Sequence, residues 1–242
     1  MIGCKCKVCT SDNPRNKRSR VSVLVETQGK NLLIDTSPDL RAQMLANGLS
    51  RVDAVLYTHD HADHTHGIDD LRSFNYLTGK ALPIYCDRHT YDSLLTRFAY
   101  AFRKPEPEVW YRPCLNAHIL PDNEVHKFKV IDISVTLFKQ MHGKSSSLGY
   151  RIGDFAYSTD TDGLTDEAFE ALSGVKVWIV DCLRYERSRT HATLEMALKW
   201  VGRIKPEQAI LTHMSHELDY EALSKELPKS VVPGYDGMVI NI

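Results

Sequence analysis

Seven consecutive residues, Thr58-His59-Asp60-His61-Ala62-Asp63-His64, hold three imidazoles and two carboxylates directly behind the apolar run Ala54-Val55-Leu56-Tyr57. Neutral imidazole nitrogen and carboxylate oxygen suit borderline first-row dications, so this density of both points to metal. A strand delivering the stretch aims alternate side chains to one side. His59, His61 and Asp63 share that parity, and His64 joins them only if the chain turns into a helix there.

Three further residues stand in the same setting. His142, Asp160 and His213 each follow a β-rich run, at 135–141, 155–159 and 209–212. Loops leaving a rigid sheet are where active-site groups gather. A lone histidine at such a position usually serves the fold, whereas four ligand-bearing strand exits on one chain predict a common centre. A second cluster, Cys4-x-Cys6-x-x-Cys9, has the spacing of a zinc site short of one ligand, and His216, just beyond His213, can complete a Cys3His tetrahedron. Spacing alone leaves a reactive cysteine tail, an iron–sulfur site or coincidence as other readings. Cys86, Cys114 and Cys182 read as ordinary buried cysteines.

Pattern also reveals the elements that must position these groups. Short β-branched and leucine-rich runs at 21–26 and 31–34 flank the turn signal Gln28-Gly29 and predict a hairpin ending at Asp35. A helix is expected over 38–47, capped by Ser37 and opened by Pro38, with Leu40, Met44 and Leu45 on one face and Gly48 as its stop. Strand 52–57 delivers the histidines, and 67–76 and 90–102 read as helices around a brief strand at 83–86. The aromatic, basic stretch 102–112 reads as a cap over a binding site, a closure of the core or a dimer contact. Strands follow at 125–128, 130–138, 147–152 and 155–158. Helices at 165–172, 191–204 and 220–227 then alternate with strands at 177–181 and 208–212, before a closing strand at 237–242. That order predicts two mixed sheets packed face to face with helices outside, in a single domain spanning 1–242 with a structural zinc segment at 4–9.

Composition sets limits on partners. An apolar fraction of 43% and a charged fraction of 25% are those of a globular chain, and a formal charge of -1 argues against nucleic acid as a bulk partner. No uninterrupted apolar run is long enough for a membrane span. The basic, cysteine-bearing start lacks the features of a secretory leader, and unpaired-looking cysteines fit a reducing compartment, so a cytoplasmic protein is expected.

His59, His61, Asp63 and His64 form a His-x-His-x-Asp-His motif, and on it the sequence resembles the metallo-β-lactamase superfamily of binuclear metallohydrolases. The resemblance implies an α/β fold, an αββα sandwich of two mixed sheets flanked by helices. It also implies that His59, His61 and His142 hold one divalent ion, that Asp63, His64 and His213 hold the other, and that Asp160 bridges them. Two manganese or zinc ions about 3.5–4 Å apart would activate water for hydrolysis. The segments 3–9, 210–216 and Tyr235-Asp236-Gly237-Met238 further resemble the PhnP-type phosphodiesterases, which act on a phosphoribosyl cyclic phosphate and carry a structural zinc beside the binuclear site. That branch usually has a strand and a glycine-rich turn ahead of the cysteines, which implies a first sheet short of an edge strand or a start further upstream.

The expectation is a binuclear metal-dependent phosphodiesterase that hydrolyses a small cyclic ribose phosphate or nucleotide-like phosphodiester through metal-activated hydroxide. His191 and Asp63 are its candidate catalytic residues. His191, in Thr190-His191-Ala192-Thr193 at the start of a helix, resembles the histidine that such phosphodiesterases place near the scissile phosphate. A capping or packing role is the competing reading. Asp181 and Arg184, at the exit of the preceding strand, are candidates for orienting His191 or binding substrate phosphate. The alternatives are a tRNA-processing nuclease, a thioesterase or lactonase, a relative of the pyrroloquinoline-quinone biosynthesis protein B, and a zinc-stabilised binding protein that has lost catalysis. The partner implied is a small-molecule phosphodiester, with a homodimer a candidate through the aromatic segment.

Overall fold

The computed structural model describes residues 1–104, 112–186 and 188–242. Their contacts divide the chain into two units, Arg20–Asp122, and Met1–Ser19 together with Asn123–Ile242.

In the unit Arg20–Asp122, β1 (Val23–Thr27) and β2 (Lys30–Ile34) form the expected antiparallel hairpin. Gln28 and Gly29 both take left-handed φ, 49° and 70°, as a two-residue turn matched to strand twist demands. A crossover through α1 (Leu40–Ala46) makes β3 (Ala54–Leu56) parallel to β2. Next come α2 (Ala62–Thr65), α3 (Arg72–Thr78), β4 (Leu82–Cys86), α4 (Arg88–Arg97) and β5 (Leu115–Ile119), giving a sheet ordered β1-β2-β3-β4-β5. Leu33, Val55, Ile68, Leu71, Ile84 and Leu94 are among the buried residues of its core.

Three expectations shift here. The helix at 38–47 begins later, at Leu40: Pro38 and Asp39 form a turn closed by the Leu40 N–H on the Ser37 carbonyl (2.9 Å), with the Ser37 hydroxyl accepting the Asp39 N–H and donating to Gln43 Oε1 (2.8 Å). Leu45 is 65% exposed and does not share the buried face of Leu40 and Met44. The helix at 67–76 is split into a 3-10 turn, Ile68–Leu71, and α3. Gly67 explains the tight entry, since a Cβ there would sit 2.0 Å from the Ser37 carbonyl oxygen. The helix at 90–102 likewise divides into α4 and a 3-10 turn, Ala99–Phe102. The stretch 102–112 runs through residues 105–111, which lie outside the described residues.

The second unit carries a larger mixed sheet. β6 (Val125–Val130), β7 (Ile133–His142), β8 (Ser145–Ile152) and β9 (Phe155–Ser158) are antiparallel neighbours in turn. The short β10 (Gly163–Leu164) pairs with β7, then α5 (Asp166–Leu172), β11 (Val177–Asp181), α6 (Leu194–Ile204), β12 (Gln208–Thr212), α7 (Tyr220–Glu226) and β13 (Val231–Pro233) complete the chain. The side chains of Thr165, Thr193 and Asp219 cap α5, α6 and α7 by accepting backbone N–H bonds, worth about 1 kcal/mol each. Trp178 of β11 is fully buried and its indole N–H donates to Ser158 Oγ at 3.0 Å, so the largest side chain of the core is also satisfied. The strand expected at 237–242 does not form. β13 occupies the place beside β12, and Val239 is left 82% exposed.

β7 and β9 both run antiparallel to β8, and β9, β11 and β12 run parallel to one another. The C-terminal ends of β7, β9, β11 and β12 therefore lie along one edge of the sheet, the edge where open sheets of this kind gather their ligands. Among the described residues no helix is long and apolar enough to cross a membrane.

Candidate metal centre

Within Arg20–Asp122 the histidine loop leaves β3 and turns at once into α2, whose N-cap is His61. That turn brings His64 round: the His59 ring lies 4.5 Å from that of His61 and 4.4 Å from that of His64, centroid to centroid. Neighbouring β2 ends at Ile34, which pairs with Leu56, so the next residue, Asp35, meets the start of the loop. Asp35 is fully buried. Its Oδ1 accepts the Thr58 N–H (2.8 Å), and its Oδ2 accepts both the Thr58 hydroxyl (2.8 Å) and His64 Nδ1 (2.7 Å).

These bonds fix the histidine tautomers. A carboxylate only accepts, so His64 Nδ1 carries its proton and Nε2 carries the lone pair. The Thr58 hydroxyl gives its single proton to Asp35 and must accept from His59 Nδ1, 2.9 Å away, which leaves the His59 lone pair on Nε2 as well. One buried carboxylate thus leaves both imidazoles with the lone pair on Nε2, the form a metal-ligating histidine needs. Asp35→Ala is expected to weaken manganese or zinc binding at these histidines by about 10–100-fold, read by titration calorimetry. Unchanged affinity would show that the relay has no such role.

The edge of the second sheet supplies His142, Asp160, Asp181 and His213. His142 Nδ1 donates to the Thr190 carbonyl at 2.7 Å, again placing the lone pair on Nε2. Asp160, 2% exposed, turns a different oxygen to each of two imidazoles: Oδ2 is 3.7 Å from His142 Nε2 and Oδ1 is 3.4 Å from His213 Nε2. Neither separation is that of a good hydrogen bond. Both approach the roughly 3.4 Å between nitrogen and oxygen ligands of one tetrahedral ion. The donor set and its spacing therefore fit divalent metal.

His191 stacks on His213, with centroids 4.8 Å apart and planes at 11°, and its Nε2 is 3.8 Å from Asp160 Oδ2. Its Nδ1 is 3.4 Å from Asp181 Oδ2, in ion-pairing range but without the alignment of a hydrogen bond. Asp181 is fully buried and its Oδ2 accepts the backbone N–H groups of Ala192 (2.9 Å) and Thr161 (3.3 Å). With no exposed surface it acts on the His191 segment rather than on a ligand. Arg184 lies on an isolated bridge to Thr193, and its guanidinium is 3.7 Å from Glu217.

Asp35, Asp160 and His213 all have left-handed φ, 63°, 49° and 58°. Such strain, of order 1–3 kcal/mol per residue, persists only where the surroundings over-determine it and is typical of functional positions. Asp35 and Thr58 escape a motif search. The signal for them is topological, since β2 and β3 flank one crossover helix and must end side by side.

Cys4, Cys6, Cys9 and His216 converge, with their donor atoms all within 4.8 Å of one another. Cys4 Sγ and Cys6 Sγ each lie 3.6 Å from His216 Nδ1. Tetrahedral zinc with its usual bond lengths separates sulfur and nitrogen ligands by about 3.6 Å, so the set fits that ion. The Cys9 backbone N–H and then the His216 ring hold the Cys6 thiol down to about 6, favouring the thiolate that zinc binds. The segment is further docked by Arg18, which donates to the carbonyls of Ser215 (3.0 Å) and Leu218 (2.6 Å), and by Asn16, which donates to Asp219 Oδ2 (2.8 Å). Cys6→Ser should remove one zinc per chain and lower the melting temperature by about 5 °C or more. Full zinc content in that variant, measured by elemental analysis, would overturn the assignment.

The family described as "Beta-lactamase superfamily domain" matches residues 30–214. The chain belongs to the metallo-β-lactamase superfamily. Its mixed α/β architecture with two mixed sheets is the metallo-β-lactamase fold. The crystal structure of a diphosphatase from the PhnP family aligns with this superfamily member over 98% of the chain and 89% of its own length, with 34% identity and a TM-score of 0.89. Zinc-bound PqqB from Methylobacterium extorquens shares the fold, with a TM-score of 0.76 at 19% identity over 100% of this chain and 95% of that one. An octanoyltransferase of Porphyromonas gingivalis is 38% identical over 242 residues, which are 98% of this chain and 48% of that protein, so the chain spans about half the length of that relative.

Proposed function

We propose that the chain is a binuclear metal-dependent hydrolase that cleaves a small phosphodiester, a cyclic ribose phosphate or a nucleotide-like diester. The observation that carries this reading is Asp160, whose two carboxylate oxygens face two different imidazoles as a bridging ligand requires. In this proposal His59, His61 and His142 hold one manganese or zinc ion, Asp63, His64 and His213 hold the other, and Cys4, Cys6, Cys9 and His216 hold a structural zinc. When bound, the two active-site ions supply Lewis acidity, lowering the pKa of water and neutralising charge on the phosphoryl oxygens.

The chain's own groups do the rest. Asp35, Thr58 and the Thr190 carbonyl keep each Nε2 in its donor form. His191 donates a proton from Nε2 to the departing alkoxide, and Asp181 steadies the backbone on which His191 stands. The likeness to a PhnP-family protein supports phosphorus as the centre attacked. Because that relative is described as a diphosphatase, a diphosphate linkage is the second reading.

The activity named for the Porphyromonas gingivalis relative, acyl transfer, finds less support in this chain. Burial pushes the thiols of Cys86 and Cys182 up to about 12 and raises that of Cys114, away from any nucleophilic role, and the half-buried Cys4, Cys6 and Cys9 belong to the proposed zinc cluster. Free thiols also accord with a cytoplasmic setting.

A hydrolysis panel tests the proposal: cyclic ribose phosphates, cyclic nucleotides, bis-aryl phosphodiesters, diphosphates, tRNA precursors and thioesters, each with manganese or zinc and with chelator. Chelator-sensitive cleavage of the small diesters is expected. Preference for diphosphates would select the second reading, and turnover confined to thioesters or tRNA would overturn both.

A further inference from the structure

We propose that Arg97 is a positioning residue for the metal loop, acting through Asp60, and that α4 serves as the brace which sets the angle between His59 and His61. The inference rests on the reading of those two histidines as metal ligands. Asp60 stands between them and belongs to none of the donor groups.

Helical spacing makes the brace. His89, Ser93 and Arg97 lie at i, i+4 and i+8 of α4 and so share one face, and all three point at this single residue. Arg97 Nη1 donates to the Asp60 carbonyl oxygen at 2.6 Å, and Nη2 donates to Asp60 Oδ2 and to Ser93 Oγ, each at 2.5 Å. The Ser93 hydroxyl donates to the same Asp60 Oδ2 at 2.6 Å, and His89 Nε2 is 3.8 Å from Oδ1. The helix carrying these groups is itself immobilised. Asp87 caps it through the Thr90 N–H at 2.7 Å, and Leu94 is fully buried on the opposite turn.

A single exposed ion pair contributes little, but this one is a network with a forked guanidinium and a backbone acceptor. Holding the carbonyl as well as the carboxylate fixes the peptide that joins residue 60 to His61. The same network commits to α4 the one carboxylate of the loop that could compete with Asp63 for an ion. A loop with five potential donors in seven residues needs such a restraint to present one geometry rather than several.

The test uses the full zinc-containing chain and compares wild type, Arg97→Ala, Arg97→Lys, Asp60→Asn and His59→Ala. Manganese affinity is measured by calorimetry, cobalt coordination by its visible absorption, and the ion-free melting temperature alongside. Arg97→Ala is expected to weaken manganese binding by about 10–100-fold and to alter the cobalt spectrum, with partial rescue by Arg97→Lys. Asp60→Asn should show the same direction and covers the case in which Arg97→Ala does not fold. Wild-type affinity and spectrum in Arg97→Ala or Asp60→Asn, with only the melting temperature lowered, would overturn the brace while leaving the metal site intact. Ion uptake that is equal in wild type and His59→Ala would overturn the metal reading and the brace with it.

Discussion

Asp160→Ala is expected to lower kcat/KM on a small phosphodiester by about 10³-fold or more and to leave the purified chain short of two active-site ions. The carboxylate is almost fully buried, Thr159 Oγ1 donates to its Oδ1 at 2.9 Å, and its two oxygens are the groups facing His142 and His213. Truncation takes both oxygens away at once, so the loss is shared by both ions. Asp160→Asn keeps one oxygen and removes the charge, and an intermediate loss is expected. Elemental analysis and steady-state kinetics on the same preparation decide the matter. Two retained ions with ordinary kinetics would remove Asp160 from the centre of the site.

His191→Ala should depress turnover by about 10²–10⁴-fold while the ion count stays at its wild-type value. The two effects separate because His191 stands outside the proposed ligand sets, its Nδ1 3.4 Å from the buried Asp181 carboxylate; a fall in ion count would instead make it a ligand, as its Nε2, 3.8 Å from Asp160 Oδ2, allows. A group that protonates a departing oxygen matters in proportion to how poor that leaving group is. The loss should therefore be large for a ribose alkoxide and small for a nitrophenolate. Equal losses on both substrates would assign His191 to packing against His213.

The strand exits were legible because each candidate ligand follows a run of β-formers, and the sheet does place His142 at the end of β7 and Asp160 and His213 just beyond β9 and β12. What pattern could not reach were features set by neighbours distant in sequence. Asp35 looks like the end of a hairpin until β3 is known to lie beside β2. The run 237–242 has strand-like composition, yet β13 takes the edge it would need. The helical period over 67–76 is genuine, with Ile68, Leu71 and Phe74 all buried, but the close approach of Gly67 to Ser37 forces a tight first turn that periodicity does not encode. β5 went unread because only Leu115 of its five residues is buried, so its alternation is too faint to stand out.

The convergence of Cys4, Cys6, Cys9 and His216 bears on the order in which the chain folds. Cys4 and His216 are 212 residues apart in sequence, and Cys6 and His216 are 210 apart. Loop entropy grows only logarithmically, each doubling of length adding about 0.6 kcal/mol, so this distance is a modest burden on equilibrium. It is a severe one in time. During synthesis the three thiolates emerge first and their imidazole partner emerges after the last long helix, α6, and the strand β12. Contacts of such separation form late, once the intervening chain has collapsed. The cluster is therefore a latch closed at the end of folding, and supplying or withholding zinc in a refolding reaction should change the final, slow phase while leaving the early ones alone.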